Sequence, residues 1–257
     1  MDVKNIVKEG YSKIAEGGCF GSGCACDSGK KNEDISKSIG YSDEEINSFG
    51  ESNLGLGCGN PIAMSNISEG DVVLDLGSGA GFDALIARRK VGESGKVIGV
   101  DITPEMIKKS SEITKRQGFD NVEFRLGDIE NLPVDSESID VIISNCVINL
   151  APNKRKVFDE AWRVLKKNGM MFVSDIVLLS EISEEKRKDK KLLCGCVGGA
   201  IIRDDYIKIA TSAGFKVEIL GEDKDISKEQ YNGVNLESLK LKLTKSDKIK
   251  CGCCCNG

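Results

Sequence analysis

The chain contains no histidine. That removes the usual general base near neutral pH, and the commonest nitrogen ligand for zinc, from any chemistry assigned to it. No run approaches the roughly 20 apolar residues needed to cross a bilayer. The opening MDVKNIVKEGYSK has no apolar segment followed by a small-residue cleavage site, so a cytoplasmic location is expected. A basic excess is also missing: 36 Lys and Arg stand against 41 Asp and Glu, for a net charge of -5. Wrapping of a phosphate backbone is therefore not expected. No coiled-coil seam or apolar stripe stands out, and a monomer is expected.

Cysteine, by contrast, is abundant. Eleven are present, at positions 19, 24, 26, 58, 146, 194, 196, 251, 253, 254 and 255. An odd number, in a chain without an export signal, fits thiols kept reduced for chemistry or metal binding better than a disulfide framework. The close pairs are spaced CxC, CGC and CGCCC, not as the CxxC knuckles of a zinc ribbon, although a tetrathiolate zinc site remains the alternative use.

Four regions follow from pattern. Residues 1–60 form a Cys- and Gly-rich cap, with helical candidates at Val3 to Ala15 and Ser42 to Asn47 around the loop GGCFGSGCACDSGK. Residues 61–180 form the regular core. There, DVVLDL, KVIGVDI, NVEFRL, IDVIISN and MMFVSDIV read as strands, and AGFDALIARRKVG, TPEMIKKSSEITKRQG and NKRKVFDEAWRVLKKNG as helices. This alternation predicts a doubly wound, mostly parallel α/β sheet. Residues 181–243 add the charged helix EISEEKRKDKKLL, the helix RDDYIKIATSAG and two last strands, FKVEIL and ESLKLKLTK, which would complete a seven-stranded Rossmann-like sheet. Residues 244–257 are a Cys-rich tail without periodicity. Trp162 has core spacing, and EEKRKDKK reads as a solvated face.

The turn VVLDLGSGAG places Gly77, Gly79 and Gly81 where a strand becomes a helix, which allows close backbone approach to a ligand. Residue 82 is Phe, where a dinucleotide fingerprint needs glycine. Asp75, just before the loop, suits the cationic amino group of a methionine moiety; Asp101, ending the second strand, suits both hydroxyls of a ribose. Gly127-Asp128-Ile129 ends the third strand, where an acid can meet an adenine amine. Together these match an S-adenosylmethionine site, and Asp71 to Val177 resembles the class I S-adenosylmethionine-dependent methyltransferases. Cofactor contacts are expected from Asp75, Gly77, Ser78, Gly79, Gly81, Asp101, Ile102, Met106, Gly127, Asp128, Ile129 and Asn145. Asn149 and Asp175 either line the pocket or close turns.

Cys146 follows the fourth strand in SNCVINL and is expected to face the cofactor methyl; for a lone strand cysteine, a small packed hydrophobe would be the usual reading. LGLGCGNP and LLCGCVGGA set further cysteines beside glycine. In order, LGLGCGNP, VVLDLGSGAGFDA, SNCVINL, EAWRVLKKNGMMFVSDIV and CVGGA resemble the arsenite methyltransferases, over about Leu54 to Gly214. The resemblance implies As(III) held by Cys58, Cys146 and Cys196 as catalytic ligands, with Cys194 an additional candidate that departs from the family pattern. Cys19, Cys24 and Cys26 match it only loosely. Soft thiolates suit As(III), whose lone pair then needs no proton removed, which accommodates the missing histidine. If methylation oxidises arsenic, neighbouring thiols can reduce it by forming a disulfide that a thiol reductant, thioredoxin or glutathione, reopens by exchange, and the tail either delivers arsenic or only scavenges it. Methylation of another small molecule, and metalloid binding without turnover, are the competing readings.

Overall fold

The computed structural model describes residues 2–18, 32–226 and 234–246. Cys19, Cys24, Cys26 and the CGCCC tail lie outside these residues. Three short helices lead in: α1 (Val3–Ala15), α2 (Asn32–Ser38) and α3 (Asp43–Ser48). The first matches its expected span. The third starts at Ser42, where a reciprocal capping box with Glu45 satisfies the first-turn amides.

From α4 (Pro61–Met64) the chain alternates: β1 (Val72–Leu76), α5 (Phe82–Val91), β2 (Lys96–Asp101), α6 (Pro104–Gln117), β3 (Val122–Leu126), β4 (Ile139–Asn145), α7 (Lys154–Val164) and β5 (Leu165–Leu178). Then come α8 (Glu184–Lys188), α9 (Lys190–Cys194), α10 (Arg203–Ser212), β6 (Phe215–Asp223) and β7 (Leu236–Lys245). One seven-stranded sheet results, in the order β3-β2-β1-β4-β5-β7-β6. The strands from β3 to β5 pair in parallel, whereas β7 runs antiparallel to both β5 and β6. The expected doubly wound α/β class is therefore observed.

Strand periodicity feeds two cores. Val73, Val97, Val141 and Ile143 pack on one face with α5 and with Ile39, Tyr41, Ile46 and Phe49 of the N-terminal segment. Leu74, Ile98, Val100 and Ile142 pack on the other with Phe158 of α7 and Tyr206 of α10. Residues i and i+2 share a face, so each strand serves both layers. Trp162 packs against the second core as expected.

Two expectations need correction. The helix expected to run to Gly169 stops at Val164, because fully buried Leu165 already pairs with Ile139 in the sheet. The register then jumps to Val141 opposite Met170, an irregularity within β5 where Asn168 has φ 64°. The charged helix is likewise two, because the Asp189 side chain accepts from the amides of Lys191 and Leu192 and starts a new helix. Among the described residues, no helix is long and apolar enough to cross a membrane.

Candidate active site

A cleft of about 1130 Å³, open mouth included, lies beyond the carboxyl ends of β1, β2 and β4. Ligands of open α/β sheets bind there. Its floor is the turn after β1, where Gly77, Gly79 and Gly81 have φ of 65°, 51° and 91°. At Gly77 the need is also spatial: a Cβ would lie 2.2 Å from a Val147 methyl, whereas at Gly79 it would meet nothing within 4 Å. The backbone at Gly79 thus faces open space. Asp101 fixes the turn: its Oδ2 accepts from the Gly79 amide at 2.9 Å and its Oδ1 from Thr103 N at 2.8 Å.

Of the expected cofactor contacts, Asp75, Gly77, Ser78, Gly79, Asp101, Ile102, Gly127, Asp128, Ile129 and Asn145 line the cleft. Gly81 instead starts α5, pressed against Phe124, and Met106 is fully buried in the core. Asp75 Oδ2 and Ser78 Oγ are buried on the wall without a hydrogen-bond partner. Burial, and then the nearby Asp83 and Asp101, push the Asp75 carboxyl well above the ordinary range. A cation seated there would relieve all three effects. Asp128 is engaged already, in an ion pair with Lys4 of α1 at 2.6 Å.

Sequence reasoning missed several wall residues. Lys4, Val7 and Tyr11 come from α1, which is tied down by Ser12 Oγ donating to Glu105 Oε2 at 2.7 Å. Tyr41 and Asp83 also line the cleft, with the tyrosine hydroxyl donating to Asp83 Oδ1 at 2.5 Å. Burial raises the Asp83 carboxyl to about 6, against the lowering effect of the hydrogen bonds from Tyr41 and Asn145. An acid on the first turn after the glycine loop was the available signal.

At the edge of the cleft the chain brings three cysteines together. Cys58 comes from the loop before α4, Cys146 from the residue after β4 and Cys196 from the turn after α9; all are buried in one cluster with Ile176, Val197 and Leu236. The Cys146 thiol lies within hydrogen-bonding reach of those of Cys58 and Cys196. Cys196 Sγ also donates to the Cys146 carbonyl at 2.6 Å. Burial pushes the thiols of Cys58 and Cys146 up, so both are protonated. Among the described residues no three such donors already surround a common centre, so the trio is a closed thiol cluster and not a preformed cage.

Cys146 at φ 58° and Cys196 at φ 67° are two of four described non-glycine residues in the left-handed region. That conformation is unfavourable for a side chain by roughly 1–2 kcal/mol. Where glycine would be cheaper, the fold keeps a thiol, a strain pattern associated with functional positions. Cys194 stands apart: its Sγ approaches the Ile6 carbonyl of α1 at 3.8 Å, and Tyr11 donates to its carbonyl. It is not brought into the trio.

Beside the thiols lies a buried polar network. Asp175 accepts from Asn149 Nδ2 at 2.9 Å, Tyr206 Oη at 3.0 Å and its neighbour Ile176 N at 3.0 Å. Burial raises its carboxyl to about 7, partly offset by Tyr206 and by the buried ammonium of Lys154. Asn149 thus anchors Asp175 and is not on the cleft wall.

Comparison with known proteins agrees with this architecture. The family model described as a methyltransferase domain matches residues 67–230. An arsenite methyltransferase of Halobacterium salinarum is 43% identical over 236 residues, covering 87% of this chain and 60% of that protein. Another, from Aquipseudomonas alcaligenes, is 37% identical over 210 residues, covering 77% and 60%. The chain therefore spans about 60% of the length of these curated relatives. The crystal structure of an arsenic(III) S-adenosylmethionine methyltransferase from Chlamydomonas reinhardtii superposes with a TM-score of 0.63 at 30% identity, covering 84% of this chain and 74% of that one. The chain is a member of the methyltransferase-domain family and, within it, of the arsenite methyltransferase group.

Proposed function

We propose that the protein is an arsenite methyltransferase, acting as a monomer in the cytoplasm, that joins a methyl group of S-adenosylmethionine to thiolate-bound As(III). The observation that carries this reading is the trio Cys58, Cys146 and Cys196, buried at the edge of a cleft whose wall includes Cys146. The chain's own groups fit the cofactor. Asp101, beside the open space at Gly79, suits a ribose, and the unpartnered Asp75 Oδ2 suits an ammonium group. When bound, S-adenosylmethionine supplies an electrophilic sulfonium methyl group, open to the lone pair of the metalloid.

The substrate side is handled by the thiols. Arsenite enters as As(OH)3, and three thiols replace its three hydroxyls with release of three waters. Each thiol proton leaves on a departing hydroxyl, so the upward-shifted thiols of Cys58 and Cys146 and the absence of histidine are no obstacle. Three sulfurs leave the arsenic lone pair free, and proximity to the cleft supplies the alignment. Methylation breaks the sulfonium S–CH3 bond, releases S-adenosylhomocysteine and leaves arsenic formally As(V). Two thiols return it to As(III) by joining as a disulfide, which thioredoxin or glutathione reopens by exchange.

The test is arsenite-dependent conversion of S-adenosylmethionine by the purified protein with a thiol reductant, with products separated and detected by arsenic mass. Methylarsenic from the wild type and none from Cys146→Ser is the expected result. Binding of arsenite without methyl transfer would favour a metalloid-binding protein, and turnover surviving the substitution would point to another acceptor.

A further inference from the structure

Asn53, in the loop between α3 and α4, stands on the cleft wall and is only 6% exposed. Its Oδ1 is taken twice, by Ser36 Oγ of α2 at 2.9 Å and by the Gly55 amide at 3.0 Å. A backbone N–H can only donate, so the contact with Gly55 fixes which end of the Asn53 amide is oxygen. The other end, Nδ2, is buried without a hydrogen-bond partner. An NH2 group shut away from water with nothing to donate to is costly, and a bound acceptor would remove that cost.

The charges on the cleft wall say which acceptor is in need of a donor. Asp75, Asp83, Asp101 and Asp128 line the cleft. Among the described residues Lys4 is the one cation on its wall, and Asp128 and Glu130 already hold that ammonium at 2.6 and 2.8 Å. A methionine moiety brings an ammonium, which Asp75 can take, and on the same carbon a carboxylate, for which no cation is left. Neutral donors must serve.

Most of these are spent inside the protein. In the glycine turn, the amides of Gly77 and Ser78 meet the Val100 carbonyl, that of Gly81 the Ser78 carbonyl and that of Gly79 the Asp101 carboxylate. The hydroxyls of Tyr11, Tyr41, Ser52 and Thr103 meet the Cys194 carbonyl, Asp83, the Phe49 carbonyl and Asp101. The Asn145 amide has three acceptors of its own. Ser78 Oγ is unpartnered, but a hydroxyl accepts as well as donates and can equally answer the ammonium. An amide NH2 can only donate. Contacts also connect Asn53 to the Asp75 side of the cleft: α2, which holds its oxygen, leads to Tyr41, whose hydroxyl meets Asp83 at 2.5 Å, and Asp83 lies near enough to Asp75 to act on its carboxyl.

Resting on the reading of the cleft as an S-adenosylmethionine site, we propose that Asn53 is a cofactor-recognition residue whose Nδ2 donates to the carboxylate of the methionine moiety, so that the protein selects a cofactor with its amino-acid end intact. The contact joins the N-terminal segment to the cofactor.

Calorimetry tests this by comparing S-adenosylmethionine with its decarboxylated form on wild type, Asn53→Ala, Asn53→Asp and Ser36→Ala. Asn53→Asp keeps an oxygen for Ser36 and Gly55 and sets a second oxygen in place of the NH2, so it holds the loop while repelling a carboxylate; it serves if Asn53→Ala fails to fold. The ratio of the two affinities is the quantity read. Relative to wild type, Asn53→Ala should lower the preference for the carboxylated cofactor by roughly tenfold or more, and Asn53→Asp should lower it further, with the decarboxylated ligand bound by both within about threefold of wild type. Ser36→Ala, which loosens the loop but keeps the donor, should leave the ratio within about threefold. Parallel losses for both ligands in the Asn53 variants, with the ratio unchanged, would make Asn53 a strut of the loop and overturn the inference alone. Failure of the wild type to bind S-adenosylmethionine would overturn the cofactor reading and the inference with it.

Discussion

Asp175→Asn should flatten the pH dependence of stability in the thiol-bearing half of the molecule. The Asp175 carboxyl is buried and its pKa rises from 3.8 to about 7, chiefly through desolvation. In the unfolded chain the same group ionises near its ordinary value. Below pH 4 it is protonated in both states and folding carries no penalty. As pH rises, the unfolded chain releases this proton while the native protein keeps it, so stability falls until the native carboxyl itself ionises near 7. At about 1.4 kcal/mol per pH unit, that interval amounts to on the order of 4 kcal/mol. Asparagine has no such titration, yet its Oδ1 can still accept from Asn149 and Ile176, and its amide can meet the Tyr206 hydroxyl once that turns. Urea unfolding of both proteins, in reductant, from pH 4 to 8 supplies the two curves. The wild-type advantage should shrink by several kcal/mol across that range. A difference that is flat, or that grows with pH, would mean that Lys154 holds Asp175 ionised and would refute the reasoning.

Two contrasts in the site give further predictions. Gly77→Ala combines left-handed strain with a collision against Val147 and should lower stability by roughly 2–5 kcal/mol, whereas Gly79→Ala, with open space ahead, should lose only about 1–2. Thermal melts would show it, and equal losses would contradict the packing described. Cys194→Ser should leave arsenite affinity within about twofold of wild type, because its sulfur faces α1 and not the trio; a large loss would make it a ligand.

Much of the fold was legible because strand and helix periods are strong here. The five parallel strands, α1 and the final antiparallel pair stand close to where alternation and caps place them. The end of α7 was not legible: KKNG continues a helical pattern, and only pairing of Leu165 with Ile139 ends it. At the site, the glycine loop, Asp75 and Asp101 could be read locally, since each sits at a strand end. Tyr41 and Lys4 could not, because their places on the cleft wall depend on how the N-terminal segment packs over the sheet. The thiols are intermediate: cysteine beside glycine was visible, but the association of Cys146 with Cys196, 50 residues on, is a tertiary contact. Their left-handed backbones were invisible too, since no residue preference predicts cysteine there.

The most direct test of the central claim is a chase experiment. One equivalent of arsenite is loaded on the reduced protein, unbound arsenic is removed, and S-adenosylmethionine is added together with excess dithiol chelator as a trap. If arsenic held by Cys58, Cys146 and Cys196 is the reacting species, methylarsenic forms in the first turnover despite the trap. Recovery of all the arsenic in the chelator, unmethylated, while free arsenite is still turned over without the trap, would contradict the account.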